Sequence, residues 1–218
     1  MITKRSIVTT ASTFMLVGLA SLAPATAQVS KTRMDDGAIL TTTTPAAGTT
    51  LIYSNFGKAG SMYNPSTGWT EAGAEANDFP LAEAMAFTVS SNYILVRIDM
   101  GITYLQGTNG MTLVVAEDNG GVPGNIIYSA PLTNLPSFGT CCALMTADLP
   151  HTKANHVGLS AGQQYWLYPL PADTTSYRIW NLDVTKKGGV GAVSIDLGVT
   201  WTPTTYTTFG AFNLYGYR

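Results

Sequence analysis

Cys141 and Cys142 are the only cysteines in the chain, and they are adjacent. Three states are open to them: a vicinal disulfide, two buried thiols, or a bond to another chain. Neighbouring Cα atoms lie about 3.8 Å apart across a trans peptide. That is shorter than the ordinary disulfide span of about 4.4–6.8 Å. A vicinal bridge therefore needs a distorted peptide and cannot sit in a regular strand. It closes almost no loop, so it adds little stability through chain entropy. Two thiolates alone do not complete a tetrahedral metal shell.

His151 and His156 are the only histidines, and they lie near Asp148. A helix presents ligands at i and i+3 or i+4; these are separated by five positions in a proline-bounded stretch. Catalytic zinc is held by three protein ligands in a supported shell. A solvated loop is the expectation, with no metal and no cofactor. Glu117, Asp118 and Asn119 resemble the start of a calcium loop, but no acidic residue follows at the twelfth position. They read as turn chemistry. Ser160 lies in Gly158-Leu159-Ser160-Ala161-Gly162, which is not the G-x-S-x-G of a nucleophile elbow. A triad would also need a histidine held by a carboxylate. Asp99, Glu117, Asp183 and Asp196 could supply the paired carboxylates of a glycoside hydrolase, which stand about 5–9 Å apart. Nothing in the sequence singles out a pair.

The tryptophans divide by context. Trp166 and Trp180 lie inside apolar runs and read as core. Trp69 and Trp201 lie in Gly-, Thr- and Pro-rich stretches. Their flat faces, with Asn and Thr nearby, could stack on sugar rings; the structural alternative is that they cover sheet ends. They are the candidate ligand-binding residues.

The elements that position these residues read as strands. Charged residues make up only 11% of the chain, against about a quarter in an ordinary soluble protein. Threonine, glycine and tyrosine replace them, which favours strands and turns over helices. Formal net charge is −2. No basic patch marks a nucleic-acid partner, and no cationic stretch marks an anionic membrane surface.

Met1 to Ala27 carries the three parts of a secretory leader. Lys4 and Arg5 are the positive start, Phe14 to Leu22 the apolar middle, and Ala25-Thr26-Ala27 the small-x-small cleavage site. The apolar middle is shorter than the roughly 20 residues of a spanning helix. No cysteine follows the cleavage site and no second apolar span follows later. The expectation is a secreted chain without stable membrane insertion.

Residues 28–49 are polar and threonine-rich and read as a flexible arm, or at most an edge strand. Residues 50–218 read as one domain. Met111–Ala116 and Asn125–Ser129 are β-rich runs around Asn119-Gly120 and Pro123-Gly124, the signature of a looped hairpin. Tyr93–Tyr104 reads as one long strand, with Leu95, Arg97 and Asp99 on one face. Gly57–Asn77 reads as loop, broken by Asn64-Pro65 and Gly68. Thr140–Ala147 reads as a strand carrying the cysteines, and Asp148–Asn155 as a polar loop. Gln163–Leu170, Tyr177–Leu182, Ala192–Leu197, Thr200–Thr208 and Phe209–Tyr217 supply further strands. Many short strands without interleaved helices predict an all-β, antiparallel two-sheet sandwich, jelly-roll-like.

Several short pieces run in a recognisable order. They are Ile52-Tyr53-Ser54-Asn55, Ala86-Phe87-Thr88-Val89, Glu117 to Gly124, and Leu159 to Leu167. Trp180, Trp201 and the closing Ala211-Phe212-Asn213-Leu214-Tyr215-Gly216 complete the series. With these, the stretch from Thr50 to Arg218 resembles the choice-of-anchor R domain proteins, a bacterial exported family. The resemblance implies an all-β secreted or surface domain and implies no catalytic residue. Family members often carry a C-terminal sorting tail, whereas this chain stops at Arg218. Free secretion or non-covalent attachment is therefore expected. The function expected is a non-catalytic surface-association or adhesion module. A carbohydrate-binding lectin-like domain is the alternative, and a glycan hydrolase a third reading. The expected partner is a glycan or another cell-surface component.

Overall fold

The computed structural model describes residues 29–32 and 45–218. The expected leader, residues 1–27, lies outside the described residues, as do 28 and 33–44 of the expected arm. The strands are β1 Val29–Thr32, β2 Thr50–Ser54, β3 Tyr63–Ala72, β4 Ala82–Thr88, β5 Tyr93–Met100, β6 Ile102–Gln106, β7 Gly110–Asp118 and β8 Pro123–Thr133. They continue with β9 Leu144–Asp148, β10 His151–Thr152, β11 Asn155–Leu159, β12 Gln164–Pro171, β13 Tyr177–Asp183, β14 Gly189–Ser194, β15 Thr202–Tyr206 and β16 Phe212–Tyr217. Among the described residues there is no helix, and the strands pair antiparallel in a sandwich-like arrangement, the fold class that the period-two runs and turn dipeptides predict.

One large sheet has seven strands: β1-β9-β5-β11-β10, with β16 on the other side of β5 and β2 beyond it. The other has six, in the order β15-β14-β4-β12-β7-β8. A third, β3-β13-β6, is added to the expected pair. The main core draws on all three sheets: Met85, Phe87, Leu113 and Leu167 from the six-stranded sheet, Leu95, Ile98 and Leu214 from the seven-stranded one, and Ile102 and Trp180 from the small one. Alternate residues of the same strands, Ala84, Ala86, Val114, Trp166 and Tyr168, form a second cluster on the opposite face of the six-stranded sheet.

The small sheet exists because two expected boundaries fall elsewhere. The run from Tyr93 to Tyr104 is not one strand. It divides at Gly101 into β5 and β6, which enter different sheets. A Cβ at Gly101 would press into the Tyr63 ring. The expected loop 57–77 contains the ten-residue β3. It stands at the edge of its sheet, where a proline such as Pro65 is tolerated. Gly68, read as a breaker, is the position where β3 meets the Trp180 carbonyl too closely for any Cβ.

Two smaller differences matter for the candidate residues. In β5 the pairing with β16 slips between Arg97 and Leu95, so Leu95 joins the core instead of sharing a face with Arg97 and Asp99. The strand expected to carry the cysteines begins only at Leu144, leaving Cys141 and Cys142 in the preceding irregular segment. The expected arm contributes β1, an edge strand paired with β9.

Candidate functional site

Cys141 and Cys142 are joined as a vicinal disulfide across a cis peptide. Tyr63 brackets the segment: its hydroxyl lies 3.2 Å from the Thr140 carbonyl and 3.0 Å from that of Ala143. The Met62 backbone N–H points to Cys142 Sγ at 3.2 Å. The pair is thus packed against the start of β3.

The two candidate tryptophans are not brought together. Trp69 lies in β3, packs against the main core, and meets Tyr206 at a tilt, with ring centroids 4.5 Å apart. Its indole N–H donates to the Thr208 carbonyl at 2.9 Å. Trp201 packs against the second cluster, edge-on to Tyr168 at 4.8 Å. They therefore serve opposite faces of the six-stranded sheet. Trp166 and Trp180 are both fully buried.

Each of the four candidate carboxylates is engaged by neighbours of its own. Asp99 accepts from Arg97 Nε at 2.8 Å and from Thr146 Oγ1 at 2.7 Å, buried on β5. Burial raises its pKa against the pull of those two donors. Asp183 accepts from Thr185 Oγ1 and the Lys187 N–H. Asp196 closes a turn by accepting from Thr200 N–H and hydroxyl and from Ser194, which hold its carboxyl below the usual range. Glu117 accepts from Asn125 Nδ2 at 3.2 Å.

The acidic turn is tied to its neighbours by hydrogen bonds. Asp118 Oδ1 accepts from Gln164 Nε2 at 2.7 Å and from the Trp166 indole N–H at 2.8 Å, and Gly121 N–H approaches both oxygens at 3.2 Å. Among the described residues no group of three or more His, Cys, Asp or Glu is placed to hold a metal. Beside this turn is an open cleft of about 450 Å³, lined by Glu117, Asp118, Ser160, Gln163, Gln164 and Tyr165. Ser160 enters through its place in the turn after β11, where its N–H meets the Tyr165 hydroxyl at 2.8 Å.

His151 and His156 are not in a loop. They are on β10 and β11, directly opposite one another in the register of that hairpin. The turn between them, at Lys153 and Ala154, carries none of the Gly, Asn or Pro signals that would announce it.

A buried polar cluster escaped the sequence reading. Glu71 on β3 stands opposite Arg178 on β13, and its carboxylate oxygens accept the Glu83 backbone N–H at 3.3 and 3.1 Å. Glu83 in turn accepts from the Tyr206 hydroxyl. Arg178 is wholly buried, and its Nη2 donates to the Thr108 carbonyl at 3.1 Å. Burial pushes the Glu71 carboxyl well above its ordinary range, with the Glu83 charge adding to it. Burial also takes Glu83 up to about 7, against the Tyr206 hydrogen bond. Arg178 is lowered by burial to about 10, opposed by Glu71 and Asp173. One signal was visible: Glu83 precedes Met85 and Phe87 at period two, an acid on the core face of a strand. The cluster fastens β3, β4 and β15 together.

Among the described residues no helix is long and apolar enough to cross a membrane. No protein-family model matches the chain, and no curated protein matches it.

Proposed function

We propose that this chain is an exported, non-catalytic β-sandwich module that associates with a cell-surface component through the cleft beside the β7–β8 turn. The observation that carries this reading is the cleft itself. Its walls present carboxylate and amide groups from Glu117, Gln163 and Gln164 to solvent, at an end of the sandwich where β7 and β12 give way to loops. Loops on a rigid scaffold are where recognition groups concentrate. The resemblance to choice-of-anchor R domains points the same way.

A hydroxyl-rich glycan is the ligand that the cleft chemistry favours. Carboxylates accept from hydroxyls, and amide side chains both donate and accept. Trp201, partly exposed beside Tyr168, is a separate aromatic surface. Hydrolysis finds less support. Glu117 and Asp118 are consecutive on β7, and the Asp118 carboxylate is committed to Trp166 and Gln164.

A glycan array probed with the wild-type protein tests the reading. Glu117→Ala and Gln163→Ala change exposed cleft side chains, and Trp201→Ala changes the separate aromatic surface. Loss of binding in the cleft variants alone is expected. Glycan binding that survives both cleft changes moves the contact elsewhere, and a blank array defeats the glycan reading.

A further inference from the structure

We propose that His151 and His156 form a two-imidazole site for a divalent first-row transition cation of the nickel, copper and zinc group. The β10–β11 register sets His151 directly opposite His156, and Thr152 opposite Asn155. Directly opposed residues of an antiparallel pair project from the same face, with Cβ atoms about 4.5–5.5 Å apart. Thr152 and Asn155 flank a two-residue turn and form the hydrogen-bonded pair that such a turn requires. The next pair outward, the histidines, is then the non-hydrogen-bonded kind, in which side chains stand closest. Two imidazoles so placed can reach one ion at metal–nitrogen distances of about 2.0–2.1 Å.

A second observation concerns His151 alone. Its Nδ1 lies 3.1 Å from the Leu149 carbonyl oxygen. A carbonyl can only accept, so Nδ1 carries the proton and Nε2 keeps the free lone pair. Ligating histidines have their other nitrogen held in this manner, which fixes the tautomer and the ring's direction. The ring also rests on Tyr217, with centroids 5.8 Å apart. Both histidines are exposed, so water can fill the remaining coordination positions.

The donor atoms select among ions. Two imidazole nitrogens do not suit hard ions such as calcium and magnesium, which are held by carboxylate and carbonyl oxygens. Imidazole nitrogen suits nickel, copper and zinc, with copper bound most tightly.

The test uses untagged protein, titrated with Cu²⁺ by calorimetry and with Zn²⁺ while imidazole nitrogens are followed by NMR. The chain has only two histidines, so each ring is resolved without assignment by mutation. We expect one ion per chain, movement of both imidazole spin systems with Zn²⁺, and Cu²⁺ affinity lowered at least ten-fold by His151→Ala and by His156→Ala. Both side chains are exposed, and thermal unfolding of each variant checks that the fold is kept. Imidazole resonances that stay in place with Zn²⁺, or either single variant binding Cu²⁺ as wild type does, would overturn the site.

Discussion

Asp118 accepts the indole N–H of Trp166 at 2.8 Å, so the turn that joins β7 to β8 is bolted to the neighbouring strand β12. Trp166 is fully buried, while Asp118 lies at the surface of the cleft. Asp118→Ala is expected to cost about 1–2 kcal/mol, since water admitted in place of the carboxylate offsets part of the penalty for an unpaired donor. Asp118→Asn keeps an acceptor oxygen and is expected to cost less. Burial raises the Asp118 pKa, but the donors from Trp166, Gln164 and Gly121 outweigh it and leave it depressed. A depressed folded pKa contributes stability above the unfolded value and loses it as pH falls through the folded one. The wild type should therefore lose part of its advantage over Asp118→Ala on the acid side of 3.8. Urea midpoints measured from neutral to strongly acidic pH check both statements.

Glu83 makes the opposite prediction. Its pKa rises from 4.5 in the unfolded reference to about 7, through burial. The folded state then holds a proton that the unfolded chain has released. Stability from this group is complete below about 4.5 and falls as pH climbs toward about 7. Glu71 is displaced in the same sense. Glu83→Gln still offers an oxygen to the Tyr206 hydroxyl and does not ionise. Its melting temperature should change less with pH than that of the wild type across this window. Parallel profiles for the two proteins would rule out Glu83 as a source of the pH dependence.

The same contrast explains what was legible in the sequence. Period-two runs and Asn-Gly or Pro-Gly turns are local signals, and they suffice for the antiparallel all-β class and for the β7–β8 hairpin. The break at Gly101 is not local: the alternation continues through it, and only the Tyr63 ring, distant in sequence, demands a residue without Cβ. Strand β3 is hidden because Pro65 and Gly68 read as breakers, and their tolerance depends on an edge position and on close approach to Trp180. The histidines are five apart, which is meaningless on a helix and natural across a two-residue turn. Nothing at Lys153-Ala154 announces that turn. Asp118 was legible as turn chemistry, whereas its indole partner depends on the β7–β12 register.

Trp69 and Trp201 should behave differently when truncated. Trp69 packs on the main core and Tyr206, and its N–H is bonded to Thr208. Trp69→Ala is expected to cost about 3 kcal/mol, the lower part of the range for a core aromatic because the ring is only partly buried. Trp201 rests on the second cluster and keeps part of its surface in solvent. Trp201→Ala is expected to cost about 1 kcal/mol, within the common range for single substitutions. Denaturation curves decide this, and equal losses would contradict the placement of the two rings.

Asn55 does the work of a peptide group where β16 begins. It is 1% exposed, its Nδ2 donates to the Gly210 carbonyl at 2.9 Å, and its Oδ1 accepts the Phe212 N–H at 2.7 Å. Asn55→Ala strands both backbone groups and is expected to cost about 2–4 kcal/mol, since each buried unpaired group costs about 1–3. Asn55→Asp separates the two bonds. The ionised carboxylate can still accept from Phe212, but it has no proton for Gly210 and places a buried charge against that carbonyl. Burial raises a carboxyl pKa, and the protonated acid can both donate and accept. With its folded pKa raised, Asn55→Asp should be most stable in acid and lose stability as pH rises through that pKa. Asn55→Ala has no such group, so the melting-temperature difference between the two variants should shrink or reverse from acid to neutral pH. A difference independent of pH would mean that residue 55 does not bridge Gly210 and Phe212 in solution.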